Sequence, residues 1–81
     1  MKTQQKNLKQ KVGYHIRVRR AVLEMSQSEL AEKVGISQGF LSLLEQGKRS
    51  LDLDLLEQIA SALQCPINQL LPPEERLREA A

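Results

Sequence analysis

A short polar run, Ser37, Gln38, Gly39 and Ser42, opens one amphipathic stretch of the chain, and the basic pair Lys48 and Arg49 follows it. A glutamine carboxamide offers a donor and an acceptor side by side in one plane, a pairing that the edge of a flat heterocycle can answer. The lysine and arginine after it suit an oxyanion such as phosphate. Other reactive side chains lack partners. His15, the sole histidine, has no His, Cys or carboxylate at convincing metal spacing and reads as a helix-surface residue. Cys65, the sole cysteine, excludes an internal disulfide and reads as a small buried hydrophobe. No nucleophile sits in a recognisable base-assisted motif, no glycine-rich phosphate loop follows a strand and no carboxylate cluster has a cleft to occupy, so no enzymatic activity, metal or cofactor is expected. Tyr14 and Phe40 are too few to stack single-stranded bases, and Phe40 is expected to pack at the edge of its helix.

The elements that must hold these residues are helices. Val12, Ile16, Arg20 and Leu23 recur at helical spacing, which predicts a helix from about residue 10 to 23 with an arginine set into its apolar stripe. Ser26-Gln27-Ser28-Glu29 has the form of a capping box and starts a second helix at Gln27. That helix turns Leu30, Ala31 and Val34 inward and stops at Gly35. Ser37 caps a third helix, with Leu41 and Leu44 inward and Gly47 as its stop. A fourth begins at Asp52 and lines up Leu53, Leu56, Ile59, Ala60 and Leu63 as a buried stripe, leaving Leu51 and Leu55 off that stripe and exposed. Pro66 opens a short fifth helix to Leu71, which Pro72-Pro73 ends.

At 81 residues the chain has room for one core, and 41% apolar residues is too many for a disordered chain. No apolar run approaches the roughly 18 residues of a membrane span, and none follows the basic N-terminus to make a leader, so a soluble, cytoplasmic protein without membrane contact is expected. The net charge of +2 hides an asymmetry. Residues 1–20 carry seven Lys and Arg and no acid, whereas residues 21–81 carry five bases and ten acids, giving +7 and −5. Such a layout suits a polyanion partner. The chain therefore divides into a basic arm (residues 1–9), a helical domain (10–71) and a tail (72–81) that is either a frayed helix or a segment ordered by a partner.

Two short helices joined by a tight turn with glycine, the second one polar at its start, form a helix-turn-helix spanning Gln27 to Gly47. The run MSQSELAEKVGISQGFLSLLEQGKR, with HIRVRRAVLEMSQ before it and LEQIASALQCPINQLL after it, resembles the Cro and phage-repressor superfamily of bacterial regulators, the XRE family, from about Val12 to Leu71. The resemblance implies an all-α, five-helix, lambda-repressor-like DNA-binding domain. It implies that Ser37, Gln38, Gly39, Ser42 and Leu43 meet base edges or the adjoining backbone of double-stranded DNA, and that Gln27, Lys48 and Arg49 contact phosphates. Arg20 and Glu45 match a paired arginine and glutamate, and Leu51, Leu55, Leu70 and Leu77 fall where relatives form a homodimer. Glu24 and Gln64 depart from the family, which favours glycine at those helix ends. The expected role is a dimeric repressor on a palindromic operator; the alternative is a protein-binding module such as an antitoxin or adapter with a protein partner.

Overall fold

The structure, a computed structural model, describes residues 7–75. Four capping side chains mark out its four α-helices. Asn7 accepts from the Gln10 amide and starts α1 (Leu8–Val22), and Gln10 returns the bond to the Asn7 amide. Ser26 and Glu29 make the reciprocal box expected at α2 (Gln27–Val34). Ser37 caps α3 (Gln38–Glu45) through the Phe40 amide, and Asp52 caps α4 (Leu53–Ala62) through the Leu55 amide. Each cap satisfies an amide that the first turn of a helix leaves without a partner. The first helix starts two residues before the expected position because the Asn7 cap, rather than the apolar spacing, sets its beginning.

All four helices end in the same way. A residue one or two positions past the end turns left-handed, and the next amide reaches back across the last turn: Met25 to Arg20, Ile36 to Ala31, Lys48 to Leu43 and Cys65 to Ala60. Gly35 and Gly47 supply the left-handed residue at α2 and α3, where it costs little. At α1 and α4 it is supplied by Glu24 (φ 54°) and Gln64 (φ 58°). The departure from glycine therefore leaves the closures unchanged and adds backbone strain instead.

The predicted fifth helix is not present. Pro66 is followed by a single 3-10 turn, Ile67–Leu70, and a second one covers Pro73–Glu75. Pro66 makes no side-chain cap, and Leu71 is held extended (ψ 147°) by the proline after it, so there is no length for an α-helix to propagate. Leu70 itself is fully buried in the core with Val12, Ile16, Leu30, Leu41, Leu44, Leu56, Ile59 and Leu63, which removes it from any dimer surface. Leu51 and Leu55, expected to be exposed, are half-buried against that core, while Leu53, expected to be buried, is 75% exposed. Leu53 and Leu55 lie on opposite sides of the stripe formed by Leu56, Ile59, Ala60 and Leu63, and the side that carries Leu55 is the one packed against the core. Leu77 and residues 1–6 of the basic arm lie outside the described residues.

Helix α1 crosses α3 unusually closely. A Cβ placed on Gly13 would stand 2.5 Å from the carbonyl oxygens of both Leu44 and Glu45, so the end of α3 rests directly on the backbone of α1. Gly13→Ala is expected to destabilise the fold by about 1–3 kcal/mol, because backbone, not a flexible side chain, would have to move. Gln64→Gly is expected to stabilise it by about 1 kcal/mol by relieving the left-handed strain. Thermal unfolding followed by circular dichroism checks both, with roughly 4–8 °C of Tm expected per kcal/mol.

Candidate nucleic-acid interface

The carboxylate of Glu45, at the last turn of α3, is buried, its side chain only 3% exposed. Burying a charge requires an opposite charge and hydrogen bonds. Arg20 provides both: Nε donates to Oε2 at 2.7 Å and Nη2 to Oε1 at 2.9 Å, while Nη1 donates to the Met25 carbonyl at 2.9 Å. This explains the arginine within the apolar stripe of α1. Hydrogen bonding to Glu45 holds the Arg20 guanidinium above its ordinary pKa, outweighing the opposite effect of burial. Among the described residues, no buried side-chain nitrogen or oxygen lacks a partner.

From this pair a chain of bonds leads outward. Gln27 Nε2 donates to Glu45 Oε1 at 3.0 Å, which turns its carboxamide oxygen towards α3. That oxygen accepts from Gln38 Nε2 at 3.4 Å, and Gln38 Oε1 accepts from Ser28 Oγ at 2.8 Å. The polarity of each link is set by the one before. A carboxylate only accepts, so Gln27 must give its amide hydrogens to Glu45 and its oxygen to Gln38. Gln38 is the first residue of α3 and is exposed.

The expected readers lie on the outer side of α3. Ser37, Gln38 and Gly39 are exposed, and Ser42 and Leu43 are half-exposed. The Ser37 hydroxyl is committed to the helix cap, and Ser42 accepts from Gln46 Nε2 at 3.0 Å one turn later. Nothing lies within 4 Å of a Cβ built on Gly39, so no packing constraint explains the glycine there. Beyond the helix, Lys48 and Arg49 are exposed, and the Arg49 guanidinium sits over the Phe40 ring, 5.2 Å from its centroid. Phe40 is half-buried against the core, as expected, and so anchors a cation beside α3.

Sequence reasoning missed three contributors. Ser28 was absorbed into the capping-box reading, where Ser26 and Glu29 carry the pattern, and its bond to Gln38 spans a turn that no period reveals. Gln46 was legible, four residues after Ser42 on the same face. Phe40 as a seat for Arg49 was not. The basic character of α1 is also largely internal: Lys11 pairs with Glu74 at 2.7 Å, and Arg19 donates to the carbonyls of Leu63 and Gln64 at 3.0 and 3.2 Å. Burial pushes the half-buried Cys65 thiol above its ordinary pKa, against the lowering influence of Arg19, which keeps it a protonated packing residue. Among the described residues, no three His, Cys, Asp or Glu side chains are grouped to hold a metal ion, and no helix is long and apolar enough to cross a membrane.

Two short helices, a glycine-closed turn and an outward polar row backed by a buried ion pair coincide with a helix-turn-helix family model, which matches residues 16–70. The chain belongs to the XRE-type helix-turn-helix family. As a member it is a transcriptional regulator built on a DNA-binding fold. It is 33% identical over 75 residues to a hypothetical transcription factor of Neisseria meningitidis, an alignment covering 91% of this chain and 71% of the other. An uncharacterized helix-turn-helix-type transcriptional regulator of Mycobacterium tuberculosis is 43% identical over 51 residues, which span 63% of this chain but 36% of that longer one. Among solved structures, the clp gene regulator ClgR of Corynebacterium glutamicum superposes with a TM-score of 0.78 at 30% identity, covering 82% of this chain and 86% of that chain.

The buried pair makes a sharp demand on this regulator. Glu45→Ala would leave Arg20 charged and without its carboxylate partner, so it is expected to cost about 3–5 kcal/mol of stability in denaturant unfolding. Glu45→Gln, which keeps the shape and part of the hydrogen bonding, is expected to cost less.

Proposed function

We propose that this regulator represses transcription by occupying a palindromic operator as a homodimer, one α3 in the major groove of each half-site. The observation that carries the reading is the outward row of α3: an exposed glutamine held by a bonded chain back to a buried ion pair, beside a glycine that no packing requires. A carboxamide so presented suits the N6 and N7 edge of adenine, and Leu43 can touch a thymine methyl. The absence of a side chain at Gly39 lets DNA come close to the helix, so shape contributes to recognition alongside base contacts. Lys48 and Arg49 then meet phosphates, with Gln27 as a further backbone contact.

A dimer is supported by the exposed Leu53 at the start of α4, with the half-buried Leu51 and Leu55 two residues to either side in the chain. A two-fold contact there would set two recognition helices about 34 Å apart, one turn of DNA. The cytoplasm, where the DNA is, is the proposed site of action.

Selection from randomised duplex DNA at about 150 mM salt, where weak nonspecific binding is suppressed, tests the reading. Recovery of a palindrome with half-sites centred about ten base pairs apart is expected. Gln38→Ala should relax one base position in each half-site, whereas Lys48→Ala should weaken all sequences alike and reduce the salt slope by about 1. No consensus from protein shown to be folded would overturn the proposal and favour a protein surface as the partner.

A further inference from the structure

Resting on the proposal that Gln38 reads a base, the geometry points to Ser28 as the positioning residue that makes Gln38 prefer adenine over guanine. The argument is a count of hydrogen-bonding capacity. A free glutamine carboxamide has two N–H donors and two acceptor lone pairs. In the structure one donor of Gln38 goes to Gln27 Oε1 and one lone pair accepts from Ser28 Oγ. One donor and one acceptor remain.

Adenine presents an N7 acceptor and an N6 amino donor in the major groove, which that remaining pair matches. Guanine presents two acceptors, N7 and O6, which would require both N–H groups of the carboxamide. The clasp thus withdraws from Gln38 the second donor that guanine needs. Of the two bonds that hold it, the one from Ser28 is the shorter, 2.8 Å against 3.4 Å from Gln38 to Gln27. Without the Ser28 hydroxyl, the long bond alone opposes rotation of the carboxamide, and a rotated amide can turn both hydrogens outward to guanine. Ser28 is exposed and is not the helix cap, a role held by Ser26, so the hydroxyl can be removed without dismantling α2.

The test is competition binding of the wild type, Ser28→Ala, Ser28→Thr and Gln38→Ala to the selected site and to versions carrying guanine in place of adenine. The base pair whose preference disappears in Gln38→Ala identifies the one Gln38 reads. At that base pair Ser28→Ala is expected to lower the adenine-over-guanine preference by at least about fivefold, the low end of what a bidentate contact is worth. Preferences elsewhere and the Tm should be unchanged, and Ser28→Thr, which keeps the hydroxyl, should restore the preference. If Gln38→Ala loses the preference while Ser28→Ala keeps it in full, the role of Ser28 is overturned and the base-reading proposal stands. If Gln38→Ala leaves every preference intact, the base-reading proposal falls and this inference with it.

Discussion

One buried carboxylate organises the molecule. Glu45 is out of water, and its two oxygens must be answered by donors, which the fold collects from two places, the guanidinium of α1 and the carboxamide at the start of α2; the oxygen of that carboxamide in turn accepts from the first residue of α3. The helices on either side of the turn are therefore tied by polar bonds of fixed direction as well as by apolar packing. Direction is what packing alone cannot supply. Leu30, Ala31, Leu41 and Leu44 exclude water and set the distance between α2 and α3, yet they would tolerate small rotations of either helix. The bonds from Arg20 and Gln27 to the buried carboxylate resist such rotations, because breaking them would strand a donor or an acceptor, and the chain runs in one sense because it begins at a group that can only accept.

The same region shows how a close backbone crossing substitutes for side-chain bulk in a small domain. With α3 resting on Gly13, the carbonyls of Leu44 and Glu45 come within reach of α1, and Arg20, two turns along, meets the carboxylate. A glycine inside a helix ordinarily costs about 1 kcal/mol relative to alanine, and here that cost sits at the crossing that makes the ion pair reachable.

Local signals in the sequence were legible wherever one side chain decides the outcome. Ser26, Ser37 and Asp52 cap where expected, and Gly35 and Gly47 close where expected, because each choice involves a few neighbouring atoms. Placement decided by distant packing was not. Leu53 falls on the apolar stripe by periodicity and Leu55 off it, yet in the fold Leu53 is exposed and Leu55 half-buried. Leu70 reads as surface in a short helix, yet the 3-10 turn that carries it folds back onto α1 and α4 and seals the core. Arg20 was conspicuous as a charge in an apolar stripe, but only the resemblance named its partner, since 25 residues separate it from Glu45. Of the outward polar face, the exposed row on α3 could be written down in advance, whereas the bond from Ser28 to Gln38 could not.

Arg19 and Arg20 are neighbours in the chain, yet they reach in different directions. Arg19 grips the carbonyls of Leu63 and Gln64 just past α4, and Arg20 grips the end of α3. This dipeptide braces the helix that would join two copies to the helix that would enter the groove. A dimer joined through α4 then behaves as a fixed-gauge calliper, because its two jaws cannot open independently. One base pair added between half-sites advances the far half-site by about a tenth of a helical turn, a mismatch that a loosely hinged dimer would absorb and this one would pass on to the duplex as twist. In the proposed dimer the interval between half-sites would become part of what is recognised, measured by two adjacent arginines of α1, apart from the outward row of α3.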